Sequence, residues 1–167
     1  FYESAMNIPL CIRPPGGTKA WQSKALTDQL DLTDTMLEIA DAPYLDNASE
    51  YRSSLVSKVL DGPDVANAQV GKETVFSDVR LYSMARNDRY KLAVDSLTRE
   101  PTELYDMDND SDQIHNLVED ATLYDVRSEL MDHLNTHLDK LDHDKVKKYQ
   151  DTLNANPLLG SAAHRMG

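Results

Sequence analysis

The chain has one cysteine, Cys11, in 167 residues. A single thiol forms no internal disulfide and builds no cysteine-rich zinc site, and it leaves the compartment undecided. No apolar run approaches the ~18–20 residues needed to span a bilayer. The opening Phe1-Tyr2-Glu3-Ser4 lacks the basic-then-apolar form of a signal peptide, and there is no initiator methionine, so the expectation is a chain that begins inside something larger. Positive charge is also scarce: 17 Lys and Arg stand against 29 Asp and Glu, a net charge of −12 at pH 7. Such a surface repels phosphate backbones and anionic lipid heads, so neither nucleic acid nor a membrane is an expected partner. Gly (6) and Pro (7) are too few for a low-complexity chain. What remains is a folded body of about one ordinary domain, which usually runs to ~100–150 residues.

Within that body the apolar pattern falls into three regions. Ile8-Pro9-Leu10-Cys11-Ile12-Arg13, closed by Pro14-Pro15-Gly16-Gly17, reads as a strand buried on both faces, with Cys11 a buried structural thiol. Leu30, Thr33, Leu37 and Ala40 mark a helix over Leu30–Ala40, with Asp31, Thr33 and Asp34 as early-turn or capping residues. A shorter helix is expected over Glu50–Leu60, with Ser49 as N-cap and Asp61-Gly62-Pro63 as its stop.

After a polar loop the period drops to two. Thr74–Phe76, Arg80–Ala85, Tyr90–Val94 and Glu103–Asp106 read as short strands, with Arg86-Asn87-Asp88-Arg89 as a hairpin turn. Leu123, Val126, Leu130, Leu134, Leu138 and Leu141 then form one stripe of a long amphipathic helix running to about Tyr149. The expected fold is α+β: an antiparallel sheet of three to four strands packed by a long C-terminal helix, preceded by one strand and two helices. The expected divisions are residues 1–62, 63–149 and a tail, 150–167.

Candidate chemistry is sparse. Asp106, Asp108, Asp110 and Asp112 alternate as in the first half of a calcium-binding loop, but Ser111 and Leu117 stand where that loop needs Gly and a bidentate Glu. The favoured reading is a polar turn whose carboxylates bond their own backbone. His133 and His137 have a zinc-site spacing, yet Leu134 occupies the place of a protease's Glu, so they read as surface histidines on a charged face. No Gly-x-Ser-x-Gly elbow, phosphate loop or dinucleotide fingerprint occurs.

The order of segments resembles the C-terminal part of the sulfatase family, among the alkaline-phosphatase-like hydrolases. Phe1-Tyr2-Glu3 followed by Ile8-Pro9-Leu10 and Arg13-Pro14-Pro15-Gly16-Gly17 is similar to the family's Tyr-Glu pair, buried strand and Pro-Gly turn. Leu30–Ala40 is similar to its next helix, and Ser54-Leu55 with Leu60-Asp61-Gly62 to its short Ser-Leu element. The most specific block is Arg86, Arg89-Tyr90-Lys91-Leu92, Glu103-Leu104-Tyr105-Asp106-Met107, Asn109-Asp110 and Asn116-Leu117. Ser111 replaces a usual Pro, Gln113 stands near a usual Glu, Asn7 replaces a common Arg, and Asp34 a common Pro.

The resemblance implies a larger α/β body to which residues 1–62 would belong. It also implies sulfate-ester hydrolysis by a formylglycine nucleophile beside a divalent, calcium-type cation. Neither the Cys-x-Pro-Ser-Arg motif nor the metal ligands occur here, so the chain holds no cofactor of its own and is expected to be inactive alone. Its expected partners are the N-terminal catalytic portion of the same enzyme and, for the whole, a sulfated small molecule or glycan. The family's catalytic lysine sits shortly before the stretch matched by Phe1-Tyr2-Glu3, which makes Tyr2 and Glu3 the substrate-rim candidates. Two alternatives stand beside this: a non-catalytic acidic interaction module, and a related phosphate or phosphonate monoester hydrolase.

Overall fold

A computed structural model describes residues 1–13, 22–43, 54–55, 72–79 and 81–141, together with 147–148, 151–152 and 155. The chain divides into two compact units, one of Ser4–Val75 and one of Phe76–Gly167 joined by Phe1–Glu3.

In the second unit, β1 (Val75–Val79), β2 (Tyr82–Arg86), β3 (Tyr90–Asp95) and β4 (Pro101–Asp106) form a four-stranded antiparallel sheet in chain order. The hairpin turn is where the sequence places it, between β2 and β3. Asn87 Oδ1 accepts the N–H groups of Arg89 (3.0 Å) and Tyr90 (2.7 Å), an Asx-type turn that closes the strands without glycine. Pro101 opens β4 as its first residue, the place in a strand where its missing N–H costs least.

Pairing of Ala85 with Leu92 and of Leu92 with Leu104 puts these three side chains on one face. A 3-10 turn, Ala121–Leu123, leads into α3 (Tyr124–Leu138), which lays Leu130, Leu134 and Leu138 on that face at 0–1% exposure. At ~25 cal/mol per Å2, each such leucine contributes roughly 1.5–3 kcal/mol. The predicted stripe is longer than the helix: Leu123 and Leu141 pack on the same core from just beyond its two ends. Residues 142–146, over which the helix is expected to continue toward Tyr149, lie outside the described residues, as does most of the 150–167 tail.

His137 differs from the sequence expectation of a surface group. His137 stacks on Phe76 with ring centroids 4.5 Å apart, and its Nε2 meets Asp78 Oδ2 at 2.9 Å. Asp78 also accepts from Ser83 Oγ (2.5 Å), which touches Ser96 Oγ at 2.9 Å. Burial raises the Asp78 carboxyl, but the bonds from His137 and Ser83 outweigh it and hold it below its ordinary value. The pair therefore ties the end of α3 to strand β1. His133 is half-buried.

The first unit holds a one-turn helix, α1 (Glu3–Met6, its first residue counted with the sheet), and α2 (Gln29–Ile39). Helix α2 lies where its periodicity predicts, but its N-cap is Asp28, whose carboxylate accepts from the N–H groups of Leu30 (2.9 Å) and Asp31 (3.3 Å). Asp31 completes a capping box by accepting the Asp28 N–H at 3.0 Å.

The buried face of α2 is not the predicted Leu30–Thr33–Leu37–Ala40 stripe. Asp31, Asp34 and Thr35 are buried, whereas Leu30, Met36 and Ile39 are 49–68% exposed. For Asp31 and Thr35 the reason is polar satisfaction. Lys72 Nζ reaches Asp31 Oδ1 at 2.9 Å and Asp28 Oδ2 at 2.5 Å, and Thr35 Oγ1 donates to Asp31 O and accepts the Leu55 N–H at 2.8 Å. The helix expected over Glu50–Leu60 lies outside the described residues apart from Ser54 and Leu55.

The strand expected over Ile8–Arg13 is corrected. These residues carry no ladder pairing among the described residues, and Ile8, Leu10 and Ile12 are 62%, 45% and 38% exposed. A doubly buried strand needs a neighbour on each side, and among the described residues β1 to β4 pair only with one another. Cys11 is accordingly exposed, not a buried thiol.

Candidate functional site

The sheet face opposite α3 carries charge. Strict alternation places Arg86 beside Lys91 and Lys91 beside Tyr105, all pointing away from the leucine core. Lys91 lies on an inner strand, and its side chain is only 2% exposed. A buried ammonium requires partners, and the first three residues supply them. Lys91 Nζ donates to the Phe1 carbonyl at 2.6 Å and to Glu3 Oε1 at 3.1 Å. Arg86 Nη1 donates to the same Glu3 oxygen at 2.6 Å.

Gln113 completes the arrangement from the turn after β4. Its Oε1 accepts the Glu3 N–H at 2.7 Å, and its Nε2 donates to the Phe1 carbonyl at 3.4 Å. Gln113 has φ of 56°, a left-handed conformation that is costly for a residue with a Cβ. Asp110 holds it there: its carbonyl accepts the Gln113 N–H at 3.0 Å, and its carboxylate accepts Ile114 N–H (3.0 Å) and His115 N–H (2.8 Å).

The electrostatics follow from this geometry. Burial raises the Glu3 carboxyl, but the hydrogen bonds from Lys91 and then Arg86 outweigh it, and Glu3 sits below its ordinary value as a firm carboxylate. Burial pushes the Lys91 ammonium below its ordinary value, with Glu3 pulling the other way. Burial likewise raises the Tyr105 phenol, with Glu103 and Tyr2 adding to it.

Both rim candidates are thus placed. Glu3 is committed to Arg86 and Lys91, while Tyr2 is 58% exposed. Sequence reasoning missed Arg86, Lys91 and Gln113 as the partners of Glu3. The available signal was a lysine inside the otherwise apolar run Tyr90-Lys91-Leu92-Ala93-Val94.

The aspartate run after β4 behaves as a polar turn. Asp106 accepts Arg89 in a fork, Nε at 3.1 and 3.2 Å and Nη2 at 2.7 Å, with Asn109 Nδ2 at 2.8 Å and the Asp108 N–H at 3.2 Å. These bonds, Arg89's first, hold its carboxyl far below the usual carboxylate range. Asn116 caps the free edge of β4, with Oδ1 accepting Leu104 N–H at 3.0 Å and Nδ2 donating to Thr102 O at 3.0 Å. The most specific block in the sequence is therefore built of structural groups.

Such carboxylates, already filled by guanidinium and N–H donors, do not fit a divalent cation. No cluster of three His, Cys, Asp or Glu among the described residues forms a metal set. Exposed Cys11, followed by Ile12 and Arg13, does not fit a formylglycine site either. None of the described helices is long and apolar enough to cross a membrane.

Residues 1–140 match the family described as N-sulphoglucosamine sulphohydrolase, C-terminal. The chain belongs to this family. As a C-terminal sulfatase domain it is similar to the uncharacterized sulfatase YidJ of Escherichia coli (strain K12), 30% identical over 160 residues that cover 91% of this chain and 30% of that protein. It is also similar to Arylsulfatase K of Gallus gallus, 28% identical over 70% of this chain and 23% of that protein. Among solved structures, a 2-O GAG sulfatase shares the fold at a TM-score of 0.50 and 21% identity, over 75% of this chain and 26% of that one. The sulfatase domain thus spans less than a third of the length of the curated relatives it matches.

Proposed function

We propose that this chain serves as the C-terminal portion of an enzyme that hydrolyses sulfate esters, with the nucleophile, a formylglycine, and the divalent cation supplied by residues outside it. The observation that carries this reading is the family match over residues 1–140, on a chain whose signature carboxylates are occupied by structural partners. The substrate class is a sulfated glycan or small molecule, in keeping with relatives named for N-sulphoglucosamine, aryl and GAG sulfates. The net charge of −12 repels such anions, so the positive charge of the substrate pocket comes from the N-terminal catalytic portion. On this reading residues 1–62 belong to the α/β body and 63–149 to the C-terminal sheet and helix. Tyr2 and Glu3 lie at the substrate rim, Tyr2 with its phenol exposed.

An aryl sulfate offered to the isolated chain and to the longer enzyme that contains it tests the proposal. Turnover by the longer enzyme alone is expected. Turnover by the isolated chain, or hydrolysis of phosphate monoesters in preference to sulfates by the longer enzyme, would overturn it.

A further inference from the structure

Arg86, Lys91 and Gln113 lie 83 to 112 residues away from the segment they hold, yet all three converge on two consecutive peptide units and one carboxylate. Phe1 offers its carbonyl, and Glu3 its N–H and Oε1. Three properties separate this cluster from an ordinary surface ion pair. Lys91 is almost wholly buried on an inner strand, where an unpaired ammonium is costly. Arg86 and Lys91 are cross-strand partners, so the sheet fixes their spacing before Glu3 arrives. Gln113 holds a left-handed backbone conformation and bonds the same segment through both ends of its amide.

We infer that Arg86, Lys91 and Gln113 are positioning residues that clasp Phe1–Glu3 on the sheet, so that the C-terminal domain sets the geometry of the catalytic cleft in the whole enzyme. This rests on the reading above, in which Tyr2 and Glu3 lie at the substrate rim. The clasp acts on the backbone on both sides of Tyr2: the Phe1 carbonyl precedes it, and the Glu3 N–H and carboxylate follow it. With both neighbours fixed, the exposed Tyr2 side chain has a defined direction, and the chain leading into Phe1 has a defined exit from the sheet. A shift of about 1 Å in a group that orients substrate costs on the order of 100-fold in rate.

Removing the clasp therefore lowers kcat more than it raises KM. The test uses the full-length enzyme that contains this chain, with Glu3→Gln, Lys91→Met and the double variant, an aryl sulfate as substrate, and hydrogen exchange on the peptide covering residues 1–6. Each single variant is expected to raise exchange in that peptide and to lower kcat by roughly 10- to 100-fold with KM changed much less. The double variant is expected to fall little further than the worse single one, because both act on the same clasp of Phe1–Glu3.

A fall in melting temperature with kcat unchanged would overturn the proposal, since it is what a purely structural pair gives. Unchanged exchange at residues 1–6 would overturn it too, as would independent, additive losses in kcat. Glu3→Gln keeps the shape of the side chain and removes its charge from beside Arg86 and Lys91, so it remains informative if Lys91→Met does not fold. Wild-type enzyme inactive on sulfate esters would remove the reading beneath the proposal, and that outcome is visible before any variant is made.

Discussion

At the scale of single residues, the side chains of the signature block satisfy polar groups of the sheet and its turns. Asp106 is the clearest case. Its folded carboxyl is depressed, chiefly by Arg89, so the stability it contributes is fully present above its unfolded value of about 3.9 and is lost as pH falls through the folded value. Asp106→Asn is expected to lower the urea midpoint at pH 7, and the gap from wild type should close progressively below about pH 4. Urea unfolding at a series of pH values checks this. A gap independent of pH would mean that the carboxylate's charge is not what matters. Glu3, also depressed, adds to the same acid sensitivity.

At the scale of elements, the sequence is legible where one periodicity governs burial. Strands β1 to β4 and helix α3 follow from alternation and from the leucine stripe, because a core of Ala85, Leu92, Leu104, Leu130, Leu134 and Leu138 selects for them directly. Leu134→Ala is accordingly expected to cost about 2–5 kcal/mol, read as a shift in the urea midpoint. The same reasoning turned α2 the wrong way. Its buried Asp31 is neutralised by Lys72, 41 positions further on, and no local pattern carries that information.

Local chemistry does explain how α2 stops. Asp41 has φ of 49° and sits just past the last turn, with Ala42 N–H bonding Leu37 O and Asp41 N–H bonding Glu38 O. Glycine suits that left-handed site, and a carboxylate at a helix C-terminus is unfavourable. Asp41→Gly is therefore expected to stabilise the protein by about 1 kcal/mol in thermal or urea unfolding. For the candidate site the sequence named Tyr2 and Glu3 through a resemblance. It did not reveal their clasp, because a lysine is ordinarily an exposed residue and its partner is 88 positions away.

For the whole molecule, the sheet and the clasp belong to different ranges of contact. Strands β1 to β4 pair strictly with their sequence neighbours, and α3 follows them directly, so that half of the protein has low contact order and is expected to form early in folding. Glu3 meets Arg86 only after a loop of 83 residues closes, an entropic cost on the order of 4 kcal/mol that is met late. Glu3→Gln should thus leave the refolding rate of the chain nearly unchanged and speed its unfolding, a φ-value near zero in a stopped-flow chevron. With that outcome Glu3 is a latch rather than a nucleus: it sets how long the folded state lasts, while the meander sets how fast it is reached.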